Sequence, residues 1–277
     1  MTQVRETALV PSSLDQRPLR ALYGRNARAV VFRGWRATRS TNWVVMLSGV
    51  FEPIFYLLSL GVGLGGLVGK ITTDSGASIP YPAYIAPALL AVAAMNGAIY
   101  DSTWNVFFKM QYAKLYEGML STSLGPLDVA LGEIVLALLR GALYAVGFML
   151  VMQALGLNLS WWALLALPAV LMIAFGFASF GMGVTSYMKT FQQMDIINFV
   201  MLPMFLISGT FYPLSVYPPV LQWIVQALPL WHGVALVRGL TTGDVSWGLL
   251  WHVLYYAVMI LVGLVFTTRR LRTLFLD

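Results

Sequence analysis

The sequence predicts an all-α polytopic membrane protein: six transmembrane helices, both termini cytoplasmic, an amphipathic helix ahead of the first span and re-entrant outer helices between the fifth and sixth. Three observations lead there. The 277 residues are 59% hydrophobic and only 10% charged, with a mean hydropathy of +0.77, whereas a soluble domain carries about 25% charged residues. Six apolar segments, near 42–67, 83–107, 129–155, 161–187, 195–211 and 247–267, approach or exceed the roughly 20 residues needed to cross a bilayer. Basic residues, finally, collect on one side of those segments, which orients them.

The charge distribution sets the topology in detail. Of 17 Lys and Arg, eight precede the first span, Lys109 and Lys114 follow the second, Lys189 the fourth, and Arg269, Arg270 and Arg272 the sixth. All 14 are cytoplasmic when both termini are, which leaves Lys70 and Arg238 outside and Arg140 within the membrane. The net charge of +6 is therefore a topology signal and no argument for nucleic acid. The whole chain, 1–277, reads as one transmembrane domain. With no cysteine, disulfide, thiolate and iron–sulfur chemistry are excluded.

Taken in order, residues 1–18 read as a flexible cytoplasmic arm, Arg-rich and without the apolar core of a cleavable signal peptide. Residues 19–41 read as an amphipathic helix. On a 3.6-residue wheel Arg25, Arg28, Arg33, Arg36 and Arg39 share one face and Tyr23, Ala27, Val30, Val31 and Gly34 the other. Two readings fit: an interfacial helix or a plain positive-inside anchor for the first span. The Gly-rich run 61–69 closes that span, and small residues there permit close helix packing.

The longest cytoplasmic loop is 109–128, KMQYAKLYEGMLSTSLGPLD. Residues 111–120 are expected to form a short helix with Lys114 and Glu117 paired at i,i+3. Residues 121–126 stop it, and Asp128 can cap the third span. The loop is either a docking helix, with Tyr112, Lys114, Tyr116, Glu117 and Gly118 meeting a cytoplasmic partner, or a solvated connector. On the other side, 203–232 begins as a span and then fills with Pro213, Pro218, Pro219 and Pro229 while holding no charged residue. Proline breaks a helix, and broken apolar backbone at membrane depth is tolerated only where protein or a water-filled cavity satisfies it. Residues 212–229 are therefore expected to form re-entrant helices, with Gly209, Phe211, Tyr212 and Pro213 in an outer gate.

Charges inside spans are costly, about 2.5–3.5 kcal/mol on insertion scales, and point to function. Here they are Glu52, Asp101 and Arg140, with Glu133 nearer the cytoplasmic edge. At 1.5 Å per residue Asp101 lies about 10 Å, and Glu52 and Arg140 about 15 Å, above the inner boundary. Arg140 can thus pair with Glu52 or Asp101 structurally, or the carboxylates can serve as a proton relay or substrate contact. Catalytic motifs fail. GLVGKI at 66–71 misses a P-loop because Leu64 and Ile71 replace the required Gly and Ser/Thr. Ser208-Gly209 lacks the first Gly of an intramembrane protease motif, although His252 could supply a base. His232 and His252 lack a local ligand partner and read as members of an outer aromatic belt with Trp231, Trp247 and Trp251.

The residues just described resemble the C-terminal signature of ABC-2-type exporter permeases. The match runs through Ser208-Gly209-Thr210-Phe211-Tyr212-Pro213, Pro219-Val220-Leu221-Gln222, Leu228-Pro229-Leu230-Trp231-His232 and Arg238-Gly239. More narrowly, Glu52-Pro53, the run 61–65, residues 84–95 and Gly132-Glu133 are similar to the nodulation-factor exporter permeases, relatives of daunorubicin-type drug exporters. One departure is Asp101, where that pattern carries Glu. The resemblance implies that Arg25–Arg39 is a connecting helix, that 111–120 is a coupling helix and that 212–228 is re-entrant. It also implies a working unit of two permeases and two separate ATPase subunits in a bacterial inner membrane. ATP and Mg would sit on the partner ATPase, with no cofactor in this chain. The cargo would be amphipathic, a drug, lipid or lipo-oligosaccharide, in a cavity walled by the first, second and fifth spans, with Asn96, Asn198, Phe199 and Met201 as lining. Three rivals are a proton-coupled secondary transporter using Asp101 or Glu52, an intramembrane protease using Ser208, and a structural scaffold.

Overall fold

The computed structural model describes residues 26–39, 51–73 and 76–275. The arm 1–18, Arg25 and the first nine residues of the expected first span lie outside them. The first described element, α1 (Ala27–Arg39), is short and amphipathic. Next comes α2 (Phe51–Val68), π-helical over Leu57–Leu64, which ends at Gly69 with φ 71°. A two-stranded antiparallel hairpin follows, Lys70–Thr72 with Ser78–Pro80 in the register Ile71↔Ile79. This small ribbon is a departure from the wholly helical expectation, though the architecture remains helical. Pro82 sits against α2 beside Gly61 and Gly65, where a Cβ would meet its ring at 3.4–3.5 Å, an ordinary contact distance.

The longest helix is α3 (Tyr81–Tyr112), 32 residues. It runs beyond the expected 83–107 and takes Gln111 and Tyr112 away from the expected coupling helix. Its last third is unusual: π-helical turns occupy Asp101–Asn105 and Phe108–Tyr112. After it, α4 (Leu115–Leu120) is only six residues. The remaining elements are α5 (Pro126–Ala154), α6 (Trp161–Thr185), α7 (Phe191–Ile207), α8 (Pro219–Ala227), α9 (Pro229–Thr242) and α10 (Gly248–Phe275).

Five of the described helices (α2, α3, α5, α6 and α10) are long and apolar enough to cross a membrane, and the pair α8–α9 raises this to six if read as one bent span. The expected fifth span is α7, which at 17 residues falls just short of that length. It starts as a 3₁₀ turn and carries Pro203 inside it. The expected outer hairpin is also redrawn. Only α8 lies within 212–229; the chain bends by 86° at Leu228 and continues as α9 for 14 residues. The reason is local. Pro229 cannot continue a helix from α8 but is well suited to the first turn of a new one.

The core forms where α3, α6, α9 and α10 pack side by side. Small residues on α6 allow this: a Cβ at Gly176 would meet the Tyr256 ring at 2.9 Å, and one at Gly183 would run into Phe266. Hydroxyls then stitch the helices, as Thr267 Oγ1 donates to the Ser179 carbonyl at 2.7 Å and Thr185 Oγ1 to that of Ser102 at 3.3 Å. Close approach through small residues plus interhelical hydrogen bonds is how helices associate where lipid removes the hydrophobic drive. By contrast α2 and α7 display large side chains outward, among them Phe51, Phe55, Ile196 and Phe199.

Candidate functional site

On the side expected to be cytoplasmic, four elements meet around one carboxylate. Pro126 at the start of α5 presets the helical φ, and Asp128 finishes the cap: its Oδ2 accepts from the Gly125 N–H at 3.0 Å. Its other oxygen, Oδ1, accepts from the Asn26 N–H at 3.0 Å. One side chain therefore starts two helices, and it fixes the beginning of α1 to the beginning of α5. Four to eight residues further on, the two helices interlock. Val30 sits where a side chain at Gly132 would be, with 2.5 Å to a Cβ built there, and Leu136 fills the space beside Gly34. The apolar face of α1, expected to lie on the bilayer, is thus spent largely on α5.

Glu133 lies one residue past this lock. Its side chain is 5% exposed, and Lys109 Nζ of α3 donates to Oε2 at 2.5 Å while the Arg33 guanidinium of α1 stands 3.8 Å from Oε1. Tyr116 of α4 is packed beneath them with no exposed surface. Burial, then the nearby Glu133 charge, hold its hydroxyl well above the usual phenol range. Among the described residues neither the Tyr116 hydroxyl nor Glu133 Oε1 has a hydrogen-bond partner. A buried carboxylate needs a cation, and here the two cations come from different helices.

The expected coupling residues divide accordingly. Tyr112, Lys114, Glu117 and Gly118 are exposed, so they are available to a partner. Tyr116 is not; it is the anchor of α4, because a six-residue helix needs a buried side chain to hold it. Lys114 does not extend the helix but turns the chain between α3 and α4, at φ 45°, a left-handed conformation uncommon outside glycine. The three described ion pairs do not include Lys114 with Glu117.

Deeper in the bundle the choice left open for Arg140 is resolved: its Nη1 donates to Asp101 Oδ1 at 2.6 Å. Asp101 is 8% exposed and opens the first π-helical turn of α3. Glu52 is exposed and takes no part in the described pairs. Of the expected lining residues, Asn96, Asn198 and Phe199 face outward from the single chain, Phe199 at 79% exposure. Met201 instead is half-buried, packed against the cluster of Phe107, Met188, Met194 and Ile197. α2 reaches α7 through the Tyr56 and Phe205 rings, 6.1 Å apart.

At the opposite end, Arg238 of α9 is the organising residue; sequence reasoning counted it as an outside charge and as part of the family resemblance, but gave it no role in a site. Its Nη2 donates to the Gly209 carbonyl at 2.9 Å and its Nε to the Tyr84 carbonyl at 3.2 Å, while its plane covers the Tyr84 ring at 3.8 Å. Gly209 holds φ 69°, a conformation that a side chain would strain. Beyond it the Phe205–Phe211–Tyr212–Tyr217 rings form a chain with centroids 5.2–6.3 Å apart, and Pro213 opens the short turn Leu214–Val216. Of the expected gate residues, Gly209 is buried, Phe211 and Pro213 half-buried and Tyr212 exposed.

Two further side chains were placed incompletely. His232 and His252 do lie among aromatics, but their Nδ1 atoms are 2.7 Å apart, joining α9 to α10, with the Tyr255 ring 3.9 Å from His232. The Ser208 hydroxyl donates to the Met204 carbonyl. Asp128 alone left a usable signal for its site role, as the third residue after Gly125 at a Pro-marked helix start. Its second donor, the Asn26 N–H, is 102 residues away and no spacing rule reaches it.

A helical multi-pass membrane protein whose short α4 and amphipathic α1 converge on a buried carboxylate, with a broken helical pair at the other end, has the build of a membrane transporter subunit. Comparison with known proteins agrees: residues 25–242 match the ABC-2 type transporter family, and the chain belongs to it. Nodulation protein J of Rhizobium leguminosarum bv. viciae is 31% identical over 251 residues, covering 90% of this chain and 95% of that protein. Nodulation protein J of Sinorhizobium fredii is 32% identical over 76% of this chain and 79% of its own length, and that of Rhizobium meliloti 28% over 80% and 83%. The chain is thus the membrane permease of an ABC exporter, a family that implies a separate ABC ATPase partner.

Proposed function

We propose that this permease moves an amphipathic cargo, a drug, lipid or lipo-oligosaccharide, out of the cytoplasm or inner leaflet of a bacterial inner membrane. The working unit is two permeases and two ATPases; both termini are cytoplasmic, α7 serves as the fifth of six spans, and α8–α9 is a re-entrant outer pair. The Glu133 junction is the observation that carries the reading, because it links the surface available to a motor with the helices available to a cargo. ATP and Mg bind the partner. Closure of the ATPases displaces α4 and α1, Tyr116 and Glu133 pass that displacement to α3 and α5, and the π-helical end of α3 yields. Non-canonical turns of this kind are common at moving sites.

The cargo path lies along α2, α3 and α7, where Asn96, Asn198 and Phe199 offer sparse polar groups on an apolar wall. Arg238, Gly209 and the ring chain to Tyr212 form the outer closure. ATP shifts the population between inward-closed and outward-open states rather than acting on the cargo directly. A proton-coupled mechanism fits less well, since Arg140 occupies the Asp101 carboxylate. The decisive experiment is co-reconstitution with its partner ABC ATPase. Glu133→Gln should leave basal ATP hydrolysis of the complex within about twofold while uncoupling it from cargo. Transport that persists without the ATPase but collapses with a protonophore would refute the proposal.

A further inference from the structure

The two sides of α1 differ in chemistry, and among the described residues only one of them is packed against another helix. Ala27, Val30 and Gly34 face α5, locked there by Gly132 and Leu136. The opposite side carries Arg28, Phe32, Trp35 and Arg36, all exposed, with Phe32 at 61% and Trp35 at 44%. These positions recur at i, i+4, i+7 and i+8 and so lie on one helical face. The Arg36 guanidinium lies 5.0 Å from the Phe32 ring centre, so basic and aromatic groups are interleaved rather than segregated. Residues 27–39 contain no acid. The acidic side chains described beneath α1 are engaged elsewhere, Asp128 by the Asn26 and Gly125 N–H groups and Glu133 by Lys109 and Arg33.

The geometry points to anionic phospholipid headgroups as the ligand of this face, with Arg28 and Arg36 pairing their phosphates and Phe32 and Trp35 seated at headgroup level. Charge complementarity supplies the first reason. Guanidinium matches phosphate in a planar, two-bonded fit, and a basic segment beside the inner leaflet is drawn to acidic lipid. The second reason is the aromatics, since Trp and similar rings favour the bilayer interface. The third is the lock at Gly132, which fixes the roll of α1 and holds the face in one direction. Arg33, at 3.8 Å from Glu133 and 44% exposed, sits at the edge between this lipid face and the junction. The inference rests on the proposed placement of α1 at the inner surface.

The test uses the full chain in mixed micelles, titrated with phosphatidylglycerol or phosphatidylcholine and followed by thermophoresis. Phosphatidylglycerol should bind more tightly than phosphatidylcholine, and its affinity should fall as salt rises. At about fivefold per charge near an acidic surface, Arg28→Gln with Arg36→Gln should weaken phosphatidylglycerol roughly 20- to 30-fold and leave phosphatidylcholine unchanged. Arg28→Lys with Arg36→Lys should keep most of the preference, which guards against a folding defect. Equal affinity for the two lipids in the wild type, or an unchanged preference in the Gln pair, overturns the inference. So does a Gln pair that loses capture of the ATPase subunit while keeping its lipid preference, which would assign the face to that protein. Failure of the exporter reading would appear as absent ATP-driven transport and would leave the lipid titration intact.

Discussion

Asp101 and Arg140 show how a single contact converts two costly residues into a tolerable pair. Each alone would oppose insertion by about 2.5–3.5 kcal/mol, and pairing at 2.6 Å offsets part of that. Asp101→Asn should therefore lower the Tm markedly, with a cost on the order of 3 kcal/mol because Arg140 is left uncompensated. Replacing both by Leu should recover most of the loss, as removal of a buried pair often does; a double variant less stable than Asp101→Asn would contradict this. Tyr116 makes a complementary case. Its hydroxyl is buried and unpartnered, so Tyr116→Phe should be neutral or stabilising by about 1 kcal/mol in a thermal shift. Tyr116→Ala should cost about 3–5 kcal/mol by emptying the space under α4.

Among elements, the contact of α1 with α5 determines whether the arm can transmit anything. Gly132→Val should unseat α1, since its Cβ would meet Val30 at 2.5 Å and the Ala27 carbonyl at 3.3 Å. Val30→Gly in the same chain, which removes both the Cβ and the Cγ1 that the new side chain would meet, should partly restore cargo-stimulated ATPase activity, measured in the reconstituted complex; no restoration would mean the lock is unimportant. The same logic explains why the coupling segment shortened to Leu115–Leu120. Its sequence favours helix from Gln111, but those first residues continue α3, and Lys114 must turn the chain so that Tyr116 reaches the Glu133 junction.

For the whole molecule, orientation is the open test, and a chain without native cysteine is well suited to it. Single replacements Lys114→Cys and Ser215→Cys lie on exposed positions at opposite ends. A membrane-impermeant thiol reagent applied to intact spheroplasts should label Ser215→Cys and spare Lys114→Cys until the membrane is opened. Labelling in the reverse order would invert the topology. At this scale the outward-facing α2 and α7 also become intelligible. Their exposed Phe51, Phe55, Ile196 and Phe199 suit lipid, cargo or a second permease, and the single chain leaves them uncovered.

The membrane-spanning helices, the charge bias and the proline-broken outer segment were legible in the sequence because each is a local property: hydropathy over about 20 residues, basic residues flanking it, and a ring that cannot donate a hydrogen bond. The number of spans was less so: five of the described helices are long enough, and six are reached only if the bent α8–α9 pair is read as one span. Glu133, Arg140 and the Gly-rich run were legible as exceptions to those same local rules. What the sequence by itself determined, then, was a helical membrane protein and the identity of its unusual residues. Tertiary structure decided their partners: Arg140 with Asp101 rather than Glu52, Arg238 with two backbone carbonyls, Asp128 with Asn26, and His232 with His252. Those choices depend on which helices lie side by side, and that is governed by where glycines at 132, 176 and 183 let two backbones approach. Close approach is a property of two surfaces at once, so neither strand of sequence contains it alone.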